Sequence, residues 1–590
     1  MIPSRTFDYL DILGSQFRKD DIFARCQNGQ WHKTSVDQYI ETSHAIARGF
    51  LSLGYQPQDK VIVVTPNRPE WNFLDMGSTL AGLVFVPIYP TLSHDEFLYI
   101  LNHSDSKAVF AGTERLYKIL ESIIPEMDHK AELFFIDDST DRPCLANVIE
   151  AGMKNKDELE KVIEKNIRET DPDTVASIVY TSGTTGTPKG VMLTHRNLTF
   201  NAHSHAIRQT YTEKHRMLSF LPLCHVYERT MNYEYQEKGI STYYAEGLKS
   251  IARDMASSHA DGLCAVPRVL ESMFDNFDKA RRNLTGLARK IYDWSWNFGI
   301  SFDNRRHTPV YRLKHALADR LIYSKWREKL GGHRLLVVSG GSSIRPQIVK
   351  LFNAAHMYIY EGYGMTEASP VIAVNSPADG YNIIGTVGKP IEGSELTFAP
   401  DGEILTRGPH VMKGYYKNPE ATADVIDSEG WLHTGDIGTL VEGQYVKITD
   451  RKKEIFKLSL GKYIAPQALE TQIIDSPFFD NCFVFGQDRK FASAVIVVNK
   501  DMARDLAGKL GIEFNGNESF LDVADVRARL LADVEAVNRQ NASFEAISRP
   551  IFTFDEWSTA NGLLSQTLKL KRKALMERYG KTIAEKVYND

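Results

Sequence analysis

The chain has 590 residues, 43% hydrophobic and 25% charged, with a formal net charge of -5. This is ordinary globular composition, and at about 100–200 residues per domain it allows roughly two to four domains. The charge balance gives no electrostatic argument for a nucleic-acid partner. Cys26, Cys144, Cys224, Cys264 and Cys482 form no C-x-x-C pair, which argues against a disulfide framework or a zinc site.

The first segment, "MIPSRTFDYLDILGSQFRKDD", lacks the apolar core of a signal peptide. No run reaches the roughly 18 apolar residues a spanning helix needs. The chain reads as cytoplasmic, with membrane association at most peripheral and no convincing amphipathic anchor. "VIVV" (61–64) is a buried strand, followed by a helix from Pro69. "AVF" (108–110), "ELFFI" (132–136) and "VASIVY" (175–180) repeat the strand pattern. "RLLVVSGGSSIRPQIVKLFNAA" reads as strand, small-residue turn and helix. Buried strands alternating with helices predict an α/β layout with mainly parallel sheets. Ligands bind such sheets where loops leave the carboxyl ends of strands.

After about residue 380, "GEILTRG", "WLHTGDIGTL" and "QYVKI" read as antiparallel hairpins broken by turns. A charged strip, "TDRKKEIFKLSLGKYIAP", precedes further strands ("CFVFG", "AVIVV") and helices near 520–538 and 570–587. These changes place a domain boundary near 450, giving domains 1–449 and 450–590.

"YTSGTTGTPKGVMLTH" (180–195) leaves the strand "VASIVY". Its glycines free several backbone N–H groups to face one anion. Thr181, Ser182, Thr184 and Thr185 add hydroxyls, and Lys189 adds a positive charge. Together they suit a polyphosphate. A P-loop needs Gly and Lys adjacent, with Ser or Thr next; here Lys189 follows Pro188 and precedes Gly190. An ordinary Gly/Thr surface loop is the bland alternative.

"YTSGTTGTPKG" resembles the signature of the adenylate-forming (AMP-binding) superfamily, which includes acyl-CoA synthetases, luciferases and peptide-synthetase adenylation domains. "YEGYGMTE" (360–367), "TGD" (434–436), "DRKKEIFK" (450–457) and "NGLLSQTLKLKRK" (561–573) resemble its later motifs, in family order. The resemblance implies a large N-terminal domain with parallel or mixed sheets flanked by helices and a distorted antiparallel barrel-like part. It also implies a small mobile α+β C-terminal domain, with ATP at the interface.

The chemistry implied has two steps: a carboxylate attacks the α-phosphate of ATP, then a thiol attacks the acyl-adenylate. The loop residues Thr181, Ser182, Gly183, Thr184, Thr185, Gly186 and Lys189 would hold ATP. So would the turn of Gly341, Ser342 and Ser343, and Glu361, Gly362, Tyr363, Gly364 and Thr366 of the second motif. Tyr363 would stack on adenine, Thr366 would meet the α-phosphate, and Glu367 would bind Mg²⁺. Asp436 would accept the ribose hydroxyls and Arg451 would meet ribose or phosphate, although a solvated charged strip also explains that segment. Lys453 would be the hinge of a rotation between the two steps. Lys569 would bridge carboxylate and α-phosphate. It counts as catalytic with Thr184, Glu367 and His225; the last stands in "LPLCHVYER", where a structural histidine is the alternative. Gln566 replaces a usual proline, and Leu460 a usual glycine.

"VPIYPTLS", "LPLCHVYER", "SKWREKLGG", "YYKNPEAT" and "DEWSTANGLL" resemble the long-chain fatty acid branch. The expected substrate is a medium- to long-chain fatty acid and the expected acceptor is coenzyme A. A fatty acyl-AMP ligase serving acyl carrier protein is the alternative.

Overall fold

The computed structural model describes residues 2–181, 187–306, 308–332, 334–380, 382–452, 454–565 and 569–588. The chain divides into two compact units. One comprises Met1–Gly341, Pro346–Leu396 and Leu405–His433; the other comprises Ser342–Arg345, Thr397–Ile404 and Thr434–Asp590.

The first unit is built on two large sheets. Seven strands run in the order Gly414–Tyr415, Lys189–Thr194, Val175–Thr181, Val84–Pro87, Lys60–Val64, Ser106–Ala111 and Glu132–Phe135. From Val175–Thr181 onward the neighbours are parallel, and the two strands before it pair antiparallel. Val61 to Val64 and Val84 to Pro87 are wholly buried, as expected of strands covered on both faces. The connection after Lys60–Val64 is the helix Pro69–Leu80, started by a proline at its first position.

The second sheet has nine strands, in the order Lys389–Pro390, Val371–Val374, Met357–Gly364, Leu335–Ser339, Gly262–Ala265, Arg216–Ser219, Ser241–Tyr244, Phe23–Gln27 and Gln30–Thr34. Its interior pairs are parallel; its outer pairs are antiparallel. A third sheet has four strands, Glu395–Phe398, Glu403–Arg407, Leu432–Val441 and Tyr445–Arg451. The α/β reading and the change to antiparallel strands late in the chain agree with this architecture.

The helix Val226–Glu237 buries every residue from Val226 to Gln236. A helix apolar all round would suit such a place, yet this one carries Glu228, Arg229 and Glu234. Arg229 is resolved by pairing: Nη2 donates to Asp75 Oδ1 at 2.6 Å and Nη1 to Ser177 Oγ at 2.6 Å. Tyr233 OH donates to the other Asp75 oxygen at 2.6 Å. The guanidinium also lies over the rings of Trp71 and Phe85, 5.4 and 5.1 Å from their centroids.

The second unit packs the helices Pro466–Ile474, Lys500–Leu510, Ala524–Asn538 and Arg572–Ile583 around the strands Phe479–Phe485, Ser493–Val498 and Ile551–Thr553. The five cysteines are buried thiols. Among the described residues no helix is long and apolar enough to cross a membrane.

Glu228 is 1% exposed, and its Oε2 has no hydrogen-bond partner among the described residues. Burial pushes its carboxyl up to about 8, against partial compensation from Ser219 and Asn232. Between the ordinary glutamate value of 4.5 and about 8, the folded protein holds a proton that the unfolded chain has released. Stability therefore falls as pH rises through that window. A Glu228→Gln variant should gain on the parent from pH 5 to 8, by up to about 1.4 kcal/mol per pH unit. Urea midpoints across that range measure the gain; parallel pH profiles for the two proteins would refute the assignment.

Candidate functional site

Thr181 and Lys189 are cross-strand partners at the mouth of the glycine-rich loop. The loop therefore joins two antiparallel strands, unlike a P-loop, which opens a helix. Ser182, Gly183, Thr184, Thr185 and Gly186 lie outside the described residues.

Lys189 is half-buried. Its Nζ stands 4.8 Å from the centroid of the Tyr415 ring, a cation–π distance. Tyr415 is held there by main-chain pairing: it faces Val191 across the Gly414–Tyr415 strand. Tyr416 N–H donates to the Gly190 carbonyl at 2.7 Å. The Tyr415 hydroxyl donates to Glu367 Oε1 at 2.7 Å, and Met412 N–H reaches the Glu367 carbonyl at 2.8 Å. Burial, then the nearby Glu367 carboxylate, push the phenol well above its ordinary value. It stays protonated and remains a donor. The loop lysine and the glutamate of the second motif thus meet on one side chain that sequence reasoning did not select.

The second motif folds as a strand end followed by a tight turn. At Gly364 a Cβ would stand 1.8 Å from the Pro370 carbonyl oxygen, so only glycine fits. Thr366 opens a single 3₁₀ turn, Thr366–Ala368, that presents Glu367. Gly362 and Tyr363 pair with Val374 and Ala373, and Tyr363 packs on Ala368, Ile372 and Leu432. Glu361 is buried, and its Oε2 accepts the Gly385 N–H at 3.4 Å. Burial pushes that carboxyl up to about 8, so at neutral pH it is largely uncharged.

His225 caps the buried helix: Tyr227 N–H donates to its Nδ1 at 3.2 Å. A neutral ring in this position carries its proton on Nε2. Its neighbours Glu228 and Arg229 turn inward to the buried groups described above. At the Leu335–Ser339 strand exit, Gly341 takes φ +89°, the left-handed conformation that favours glycine. Gly341, Ser342 and Ser343 are exposed.

In the second unit, Asp436 and Arg451 are cross-strand partners. Arg451 Nε lies 3.3 Å from Asp436 Oδ1. Gly435 N–H donates to Glu403 Oε1 at 2.9 Å, and Lys452 Nζ reaches Glu403 Oε2 at 2.8 Å and Asp401 at 2.7 Å. Lys453 lies outside the described residues. Leu460 is 72% exposed in a turn closed by Gly461 N–H to the Leu458 carbonyl. Its φ is not positive, whereas that of Gly461 is +80°, so position 460 does not require glycine.

Lys569 is tied to Ser565 through its main chain. Its carbonyl accepts the Ser565 N–H at 2.8 Å, its own N–H donates to Ser565 Oγ at 3.0 Å, and Leu564 bridges to Leu570. Gln566 lies outside the described residues. Arg572 is an anchor: it forks onto Glu470 at 2.9 and 2.7 Å and reaches Glu454 Oε2 at 3.0 Å.

With this geometry in hand, residues 15–416 match the AMP-binding enzyme model, and 453–590 match the AMP-binding enzyme C-terminal domain. The chain belongs to the AMP-binding enzyme family. It is 32% identical to the long-chain-fatty-acid–CoA ligase FadD15 of Mycobacterium bovis, over 99% of this chain and 97% of that one. It is 30% identical to the peroxisomal long chain acyl-CoA synthetase 7 of Arabidopsis thaliana, over 97% and 83%. The adenylation domain of a carboxylate reductase from Mycobacterium chelonae shares the fold, with TM-score 0.74 and 22% identity over 99% and 91% of the two chains.

For this AMP-binding enzyme, Tyr415→Phe keeps the ring beside Lys189 and deletes only the bond to Glu367. A lost hydrogen bond to a charged group costs about 1.5 kcal/mol of stability, so the urea midpoint should fall. An unchanged midpoint would mean that this bond contributes nothing to the fold.

Proposed function

We propose that the protein activates a long-chain fatty acid with ATP and transfers the acyl group to coenzyme A. The observation that carries this reading is its resemblance, at about 30% identity over most of both chains, to ligases and synthetases of that name. The meeting of Lys189, Tyr415 and Glu367 beside the loop supports it.

In the first half-reaction the carboxylate oxygen bonds to the α-phosphorus, the bond from that phosphorus to the bridging oxygen breaks, and pyrophosphate leaves. Two anions must approach, so donors and cations aimed at the developing charge supply the catalysis. Lys189 and the loop hydroxyls hold the departing phosphates. Lys569, whose main chain is tied on both sides, neutralises the carboxylate and α-phosphate. In the second half-reaction the coenzyme A sulfur bonds to the acyl carbon, its proton is lost to base or solvent, and AMP leaves.

Glu367 fits a magnesium ion that arrives with the nucleotide. Mg²⁺ is typically held by one or two carboxylates plus substrate phosphates rather than by a protein cage. Among the described residues no cluster of three or more His, Cys, Asp or Glu side chains could hold a metal. Mg²⁺ would supply charge neutralisation across the phosphates. Asp436 and Arg451 serve the ribose and its phosphate.

ATP–pyrophosphate exchange across acids from acetate to long saturated chains, repeated with coenzyme A, tests the reading. Exchange should peak on a long acid, and acyl-CoA should form. Exchange without acyl-CoA selects a carrier protein as acceptor, and no exchange with any acid refutes the ligase reading. Lys569→Ala should lower exchange by about 100-fold or more while a supplied acyl-adenylate is still consumed by coenzyme A. Retained exchange would remove Lys569 from the first step.

A further inference from the structure

The helix Pro309–Ala318 and its surroundings play no part in the site above. One face holds it to the body of the first unit. Tyr311 packs against Phe298 and Phe302, with ring centroids 5.0 and 6.0 Å away. His315 Nε2 lies 2.6 Å from the Ala354 carbonyl, and Ala318 is fully buried.

The opposite face is apolar and bare. Val310, Leu313 and Leu317 are 64%, 71% and 48% exposed. Their i, i+3, i+7 spacing puts them on one stripe. Among the described residues, fifteen large hydrophobics are exposed across the whole chain, and this ten-residue helix carries three of them. That concentration exceeds the scatter normal for a soluble surface. By helical geometry Lys314 lies along one edge of the stripe and Arg320, two residues beyond the helix, continues the other; both are exposed. From residue 286 to 329 the chain has ten Lys or Arg against four Asp or Glu, a local charge of +6 in a chain of net -5.

We propose that this helix docks the protein on an anionic lipid bilayer. An aliphatic stripe edged by cations is the pattern of a helix lying in the headgroup plane. The apolar side chains enter the acyl boundary, and the cations meet lipid phosphates. A nucleic acid would use the cations and leave the aliphatic stripe exposed to water. A second copy would bring two surfaces of like charge together. The sequence hid this anchor because the stripe is only three residues wide, inside a helix whose inner face is also apolar. The inference does not depend on the ligase reading, although a bilayer is also where a long acyl chain partitions.

Flotation of the full chain with vesicles tests it, using phosphatidylcholine alone and phosphatidylcholine mixed with phosphatidylglycerol. The protein should float with the mixed vesicles, and less so as salt rises. Leu313→Gln/Leu317→Gln keeps helix propensity and should lower the bound fraction by about tenfold, with pyrophosphate exchange and urea midpoint unchanged. Lys314→Gln/Arg320→Gln should reduce binding to mixed vesicles. The proposal fails if the parent protein stays in the soluble fraction or if the leucine variant floats as well as the parent. It also fails if heparin binds as tightly as the vesicles and is indifferent to the leucines, which would identify a soluble polyanion as the partner.

Discussion

The buried pair of Arg229 and Asp75 is the constraint on which the first unit depends. Each charge, taken from water, costs several kcal/mol unless its partner and remaining hydrogen bonds are in place. The guanidinium meets that demand by bonding to the helix Pro69–Leu80 through Asp75 and to the strand Val175–Thr181 through Ser177. It belongs to the helix that His225 caps. Four residues beyond Ser177 the strand ends at Thr181, where the glycine-rich loop begins. The strand that leads into the loop is thus fixed by a group that tolerates little displacement.

Much of this was legible in the sequence. Strands such as Lys60–Val64 and Val175–Thr181 are buried on both faces and so appear as unbroken apolar runs. The turn at Gly341 was readable from its small residues, whereas "TGD" lies within the strand Leu432–Val441 and the hairpin turns beyond Val441. Tyr415 was not readable. Its strand has two residues, too few for alternation to register, and its partners Lys189 and Glu367 lie far upstream. The stretch "YYKNPEAT" pointed to a family branch without saying which tyrosine did what. The burial of Glu228 and Arg229 was not readable either, because charged residues in a sequence give no sign of a helix buried all round.

The second unit solves its positioning problem with main chain more than with side chains. Asp436 and Arg451 face each other because two strands are in register. Lys569 is placed by its own N–H and carbonyl, and Arg572 fastens the following helix to Glu470 and Glu454. The K-x-x-R spacing therefore joins two different jobs. The lysine is held through its main chain and the arginine through its side chain.

The Tyr415 ring also has an electrical consequence. Lys189 and Glu367 carry opposite charges, and a direct ion pair would quench both. The phenol stands between them, engaging the cation through its face and the carboxylate through its hydroxyl. It works as a spacer that keeps the two poles apart. One aromatic side chain thus holds a cation and a carboxylate in fixed places, each engaged by a different part of the ring.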